Sequence, residues 1–265
     1  MAASTSTRAE ETNPGIDPVE WELRVQLAAA FRINAHLGWE DSMNTHTTVR
    51  LPGPEHHFLI NPFGVRFDEV TASGLVKIDV DGNRAEPGDD IVNEAGFVIH
   101  SAIHMAREDA KAIVHTHTTA GMAVAALEHG LLPIGIFAIG FHDRVSYHDF
   151  EGASGGHNIS ERERLAASLG PRNNALILRN HGLLTVGETV AEAFIWMYRL
   201  ERACETQVAT YGSGGGYTLP SERARARTVR GTDDFMTAYG AHRPGELEFA
   251  AWMRLMDRLD PSYRN

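Results

Sequence analysis

Cysteine is almost absent: one residue, Cys204, in a chain of 265. A single thiol closes no internal disulfide, so a disulfide-stapled scaffold is excluded and a reducing compartment fits. Long apolar runs are missing as well, and none approaches the roughly 20 residues of a membrane-spanning helix. Residues 1–13 are polar and rich in Thr and Ser, without the apolar segment of a secretory signal, so a cytoplasmic protein is expected. Positive charge is scarce: 24 Lys and Arg face 35 Asp and Glu, a net charge of −11. Nucleic acids and anionic lipid surfaces both demand a cationic face, so neither is expected as a partner. No strand runs into a GxGxxG turn, so a dinucleotide fold has no support, and no internal repeat is visible. What is plentiful is histidine, with 14 residues in an otherwise ordinary globular composition of 43% hydrophobic and 22% charged residues.

The hydrophobic patterning predicts one mixed α/β domain over residues 17–211, a disordered tail over 1–16, and a C-terminal helical extension over 212–265. The extension is expected to pack on the same domain or on a neighbouring subunit. Asp17, Pro18 and Glu20 read as a capping box with proline at the first helical position, and Gly38 ends that helix. Short strands are expected at Thr47–Leu51, Phe58–Asn61, Leu75–Val80, Ala112–His117, Ile134–Ile139, Ala175–Arg179 and Leu183–Val186. Helices are expected from Asn93 to Arg107 and from Ala120 to Leu127. Capping boxes at Ser160/Glu163 and Thr189/Glu192 open two more, the latter running to about Thr210.

The histidines carry the chemistry. His115 and His117 close the strand that begins at Ala112, and residues two apart on a strand face the same way. His181 ends a later strand and is followed by Gly182, which lets the backbone turn tightly. Three histidines with an open fourth position form the ligand set of a catalytic metal. The residues alone leave a second reading open, in which these are buried imidazoles that only hydrogen-bond.

At this point the chain resembles a known family. The segments Thr45-His46-Thr47-Thr48-Val49-Arg50, Phe58 to Gly64, Val114-His115-Thr116-His117 and Arg179 to Gly187 are similar to those of the class II aldolase/adducin family. The helix from Ala191 to Cys204, with Glu201 and Gln207, extends the likeness, which covers roughly residues 18–210. The resemblance implies an α/β fold, a three-layer α/β/α sandwich around a mainly antiparallel sheet. It also implies a homotetramer with active sites between subunits. It makes His115, His117 and His181 the protein ligands of one divalent metal ion per chain, Zn, Mn or Fe(II).

Against the sugar-phosphate aldolases of that family the phosphate-holding residues differ. Their glycine–asparagine pair aligns with Thr45 and His46, their loop threonine with Phe63, and two serines with Glu94 and Ala95. A carboxylate opposes a phosphate, and Phe63 donates no hydrogen bond, so sugar phosphates are not expected as substrates. The catalytic glutamate of those enzymes falls on Gly96, and their donor tyrosine on Phe137. The expectation is therefore a metal-dependent lyase that decarboxylates a non-phosphorylated hydroxy- or keto-acid, aromatic in type. The small-molecule partner is then a carboxylate. In it His46 and Glu94 are the candidate catalytic groups, with Arg50, Asn61, Phe63 and Tyr147 at the substrate. Phe137 and Phe141 are further candidates for an aromatic wall. Three alternatives stand beside it: an Fe(II) oxygenase performing oxidative decarboxylation, an aldolase on unphosphorylated substrates, and a non-catalytic adducin-like module. His100 and His104, one helical turn apart, resemble a second metal pair, but on a helix packed against the sheet they read as supporting residues. Tyr211 and Tyr217 are weaker candidates, for a neighbouring subunit's site.

Overall fold

Asp17 caps the first helix, α1 (Pro18–His36), by accepting from the backbone N–H groups of Val19 and Glu20. Pro18 sits where its missing N–H costs nothing, and Gly38 turns the chain away at a φ of 72°. Glu20 does not close the box; its carboxylate pairs instead with Arg24 and Lys77. This is a computed structural model, which describes residues 15–152, 159–237 and 242–265, with the side chains of 94–98, 159–160 and 233–237 outside the description. Nearly all of the expected tail, 1–16, lies outside the described residues.

Three short strands follow: β1 (Thr47–Arg50), β2 (Phe58–Ile60) and β3 (Val76–Ile78). Then come α2 (Glu94–Ala106), β4 (Ala112–Thr116) and α3 (Thr119–Ala125). After α4 (Ile136–Gly140), the strand β5 (Val145–His148) crosses over through α5 (Ile159–Leu169) to β6 (Ala175–Leu178). A tight turn leads into β7 (Gly182–Gly187), then α6 (Val190–Gly212), α7 (Glu222–Thr237) and α8 (Glu246–Leu259). The strands form one seven-stranded sheet in the order β3-β2-β1-β4-β7-β6-β5. All neighbours are antiparallel except β5 and β6, the pair joined by a helical crossover.

Side chains alternate across the strands, and the two faces bury two different sets. Ile113, Leu176, Leu178, Leu184 and Val186 meet Ile103 of α2 and Leu165 and Leu169 of α5. Val49, Leu59, Val114, Ile177 and Leu183 face the other way, into a larger core with Leu27 and Phe31 of α1 and Phe194 and Met197 of α6. The result is the expected three-layer α/β/α sandwich with a mainly antiparallel sheet. α8 packs on α1 and α6, and α7 on α4.

One expected strand is not a strand. Residues 134–139 hold the short helix α4, and the edge strand of the sheet is β5, ten residues further on. An apolar run broken by Gly135 and Gly140 satisfies either reading, and here tertiary packing against α6 decides it. Thr189 does cap α6 through the Glu192 N–H, but the Glu192 carboxylate reaches back to Glu188 rather than to its own cap residue. α5 begins one residue before Ser160, so Ser160 lies inside the helix rather than at its cap.

Candidate metal centre

β4 and β7 run antiparallel with His115 opposite Leu184 and Thr116 opposite Leu183. That register sets His115 on the α2 face of the sheet and Thr116 on the α6 face. His46, at the entry to β1, accepts the backbone N–H of His115 and stands beside it on the same face. The turn between β6 and β7 brings up the third histidine. Asn180 adopts a left-handed φ of 55°, a conformation asparagine tolerates. Gly182 then lies so close to β4 that an added Cβ would stand 2.3 Å from the Thr116 carbonyl oxygen. Only glycine lets His181 reach the end of β4.

The three candidate ligand nitrogens lie within 4.8 Å of one another. The ring centroids of His115 and His117 are 4.6 Å apart, and His181 is 5.0 Å from the first and 4.8 Å from the second. The His115 Nδ1–H donates to the Leu183 carbonyl at 2.8 Å, and the His117 Nδ1–H donates to Asp41 Oδ2 at 3.0 Å. Both Nε2 atoms are thereby turned inward, and they approach to 2.9 Å. Burial and the neighbouring imidazoles hold His115 well below the usual histidine pKa, so its Nε2 is a lone pair. Burial also lowers His181, to about 4. Two inward nitrogens at that distance need a proton or a cation between them. The convergence of a third ring, itself kept neutral, is accounted for by the cation. The donor set therefore fits a divalent metal with three protein ligands, oriented by a carbonyl and a carboxylate behind them.

Behind the ligands the segment is clamped from the α6 side. Glu201, fully buried, accepts from the Thr116 hydroxyl at 2.5 Å and the Thr118 hydroxyl at 2.6 Å. Those two threonines bracket His117. Desolvation pushes the Glu201 carboxyl up to about 7.

Of the residues singled out in the sequence, the structure gathers His46 with the triad. Its ring centroid lies 5.3 Å from His115, and burial pushes its pKa down to about 3. Arg50 is used elsewhere: its guanidinium donates to the carbonyls of His104 and Glu108 and pairs with the Glu108 carboxylate. Asn61 follows β2 directly and is buried, its carboxamide oxygen without a partner among the described residues. Phe63 is exposed, its backbone N–H bonded to Ile91. Tyr147 accepts from the Leu131 N–H and lies beneath the Arg179 guanidinium, 4.3 Å from its ring centroid, so its hydroxyl and ring face are both engaged away from the histidines. Glu94 opens α2, and its side chain lies outside the described ones. Phe141 packs in the core against Trp196, whereas Phe137 stands on the exposed side of α4. Tyr211 bonds His129 through its hydroxyl. Sequence reasoning missed Asp41, which belongs to a loop without a motif, and Phe150, whose exposed ring stands edge-on to His181 at 6.3 Å. It noted Glu201 without assigning the clamp.

An antiparallel α/β/α sandwich with three histidines converging at the end of its central strands defines a class of metal-centred proteins. The description "Class II Aldolase and Adducin N-terminal domain" matches residues 25–208. The chain belongs to the class II aldolase/adducin family. It is 44% identical to an aldolase II superfamily protein from Pseudomonas syringae, whose structure superposes with a TM-score of 0.86 over 94% of this chain and 98% of that one. L-fuculose 1-phosphate aldolase from Glaciozyma antarctica PI12 is 32% identical, with a TM-score of 0.79 over 96% and 97% of the two chains. Alpha-adducin of Mus musculus is 43% identical over 257 residues, which is 92% of this chain but 34% of the adducin.

Proposed function

We propose that this protein is a metal-dependent lyase that breaks a C–C bond by decarboxylating a hydroxy- or keto-acid without a phosphate group. The observation that carries the reading is the convergence of three imidazoles, His115, His117 and His181, whose candidate ligand nitrogens lie within 4.8 Å of one another, beside a buried fourth, His46. His115, His117 and His181 would hold one divalent ion, Zn, Mn or Fe(II), which when bound would supply Lewis-acid stabilisation to a carboxylate and its neighbouring oxygen. Asp41 and the Leu183 carbonyl keep two of the three rings in the ligating tautomer. Phe150 gives the approach to His181 an apolar wall, which suits an aromatic acid. His46, neutral at pH 7, accepts the substrate hydroxyl proton and returns it to the carbon that loses CO₂; the bonding pair stays on that carbon and receives the proton. Glu94 and a homotetrameric assembly with sites between subunits belong to the same reading, on the strength of the family.

Metal-loaded protein incubated with hydroxy-aromatic carboxylates tests it. The reading predicts CO₂ release without O₂ uptake. CO₂ release coupled to O₂ consumption by iron-loaded protein would replace it with an oxygenase. A second reading, retro-aldol cleavage, is favoured by the likeness to the Glaciozyma L-fuculose 1-phosphate aldolase. Cleavage of L-fuculose 1-phosphate with no CO₂ release from any acid would establish that one. No turnover of either class, by protein holding its metal, would favour the non-catalytic adducin-like module.

A further inference from the structure

Behind the metal centre lies a chain of buried polar groups that a structural role does not explain. His100 and His104 project from successive turns of α2, and both reach the hydroxyl of Thr48 on β1, at 2.7 and 2.8 Å. The far nitrogen of His104, Nδ1, stands 2.6 Å from the Ala110 carbonyl oxygen. Phe58 stacks on the His104 ring with centroids 4.8 Å apart, and Arg50 holds the His104 carbonyl. All three side chains are almost wholly buried, His100 and His104 at 1% exposure and Thr48 at 2%.

These distances fix where every proton sits. A carbonyl oxygen only accepts, so His104 carries its hydrogen on Nδ1. Burial keeps the ring neutral, so its Nε2 is a lone pair. Thr48 has one hydrogen and must give it to that lone pair. Its oxygen therefore accepts from His100, which carries its hydrogen on Nδ1. His100 is also kept neutral by burial, and its Nε2 is left as a lone pair. Among the described residues that atom is buried without a partner. The nearest ring is His46, centroid 4.3 Å away, and its Nδ1 is buried and unpartnered too. A tie between helix and sheet would be complete at His104 and Thr48. It would not extend one residue further to end on an unsatisfied acceptor next to a second unsatisfied nitrogen, both beside the metal ligand His115.

We propose that His100 is a positioning residue for His46: His46 turns its ring to donate Nδ1–H to His100 Nε2, and the line Ala110–His104–Thr48–His100 fixes His46 in that tautomer. Its Nε2 is then the free lone pair. The consequence for catalysis rests on the reading of His46 as the proton-handling group; the tautomers themselves do not. Phosphate, which offers acceptors at neutral pH, would find no donor on His100, whose one hydrogen is committed to Thr48.

Long-range ¹H–¹⁵N spectra of the imidazoles in full-length, metal-loaded protein test the assignment without any substrate. The expected result is protonated Nδ1 and unprotonated Nε2 in His104, His100 and His46. Protonated Nε2 in His100 would overturn the proposal. Thr48→Val keeps the volume and removes the hydroxyl, so His100 and His46 should each show a mixture of tautomers. Thr48→Ser should restore the single pattern, and metal content should stay at the wild-type level in both. Unchanged His46 signals in Thr48→Val would also refute the link. Should Thr48→Val not fold, the wild-type spectrum alone decides. A failure of the decarboxylase reading would show as absent CO₂ release with the tautomer pattern intact, so the two outcomes are separable.

Discussion

Asp41 is bonded directly to one of the three candidate metal ligands. Its carboxylate holds the His117 Nδ1–H and so aims Nε2 at the ligand position. Asp41→Asn should weaken zinc binding about 10- to 100-fold, read by competition with a chromophoric chelator. Wild-type affinity would mean that the carboxylate does not orient the ring. Glu201 makes a different prediction, because desolvation raises its carboxyl from the usual carboxylate range to about 7. A raised acid holds its proton better in the fold than in the open chain. Its contribution to stability is therefore largest below the unfolded pKa and is lost as pH climbs toward 7. Glu201→Gln carries no such titration. Relative to wild type its stability should improve by about 2 kcal/mol between pH 5 and pH 7 in urea unfolding. A difference independent of pH would show that the carboxyl titrates normally.

At the scale of elements, the site depends on how closely β7 approaches β4. Gly182→Ala would drive a methyl into the Thr116 carbonyl and push apart the strand ends that carry His115 and His181. We expect a loss of about 3 kcal/mol, at the upper end of overpacking, together with loss of bound metal. Retention of both would show that the approach is slack. Much at this scale was legible beforehand. The period-two pattern and the capping signals located α1, α2, α6 and the central strands to within a residue or two. The His-x-His and Asn-His-Gly motifs named the three histidines that the fold brings together. Less was legible where local chemistry is ambiguous or long-range. Residues 134–139 are apolar enough for a strand, and packing on α6 and α7 makes them α4. Asp41 and Phe150 sit in loops, where position is set by the fold rather than by periodicity. Arg50 follows the loop that carries His46 in sequence, yet its bonds to the His104 and Glu108 carbonyls hold it beside Glu108.

Across the whole molecule, the histidine cluster sets the response to acid. Burial lowers His46 and His104 to about 3 and His181 to about 4, and pushes His100 and His115 well below the usual range. A depressed histidine is neutral in the fold and takes up a proton near pH 6.5 once the chain opens. Its stabilisation is complete above that value and is lost as pH falls through it, by about 1.4 kcal/mol per unit for each ring. Glu201 pulls the other way below pH 7, but one carboxyl stands against five imidazoles, so the net direction is loss. Metal-free protein should thus unfold at a lower urea concentration at pH 5 than at pH 7, with uptake of more than one proton. Equal midpoints would contradict the burial of these rings as neutral groups. The same neutrality prepares the centre for a cation, and no helix among the described residues is long and apolar enough to cross a membrane.

The most direct test of the account is elemental analysis of protein purified without added metal or oxygen, beside Glu201→Gln and His181→Ala purified the same way. The account predicts close to one divalent ion per chain in wild type and in Glu201→Gln, and almost none in His181→Ala while the fold persists by circular dichroism. Stoichiometric metal retained by folded His181→Ala would contradict the three-histidine centre.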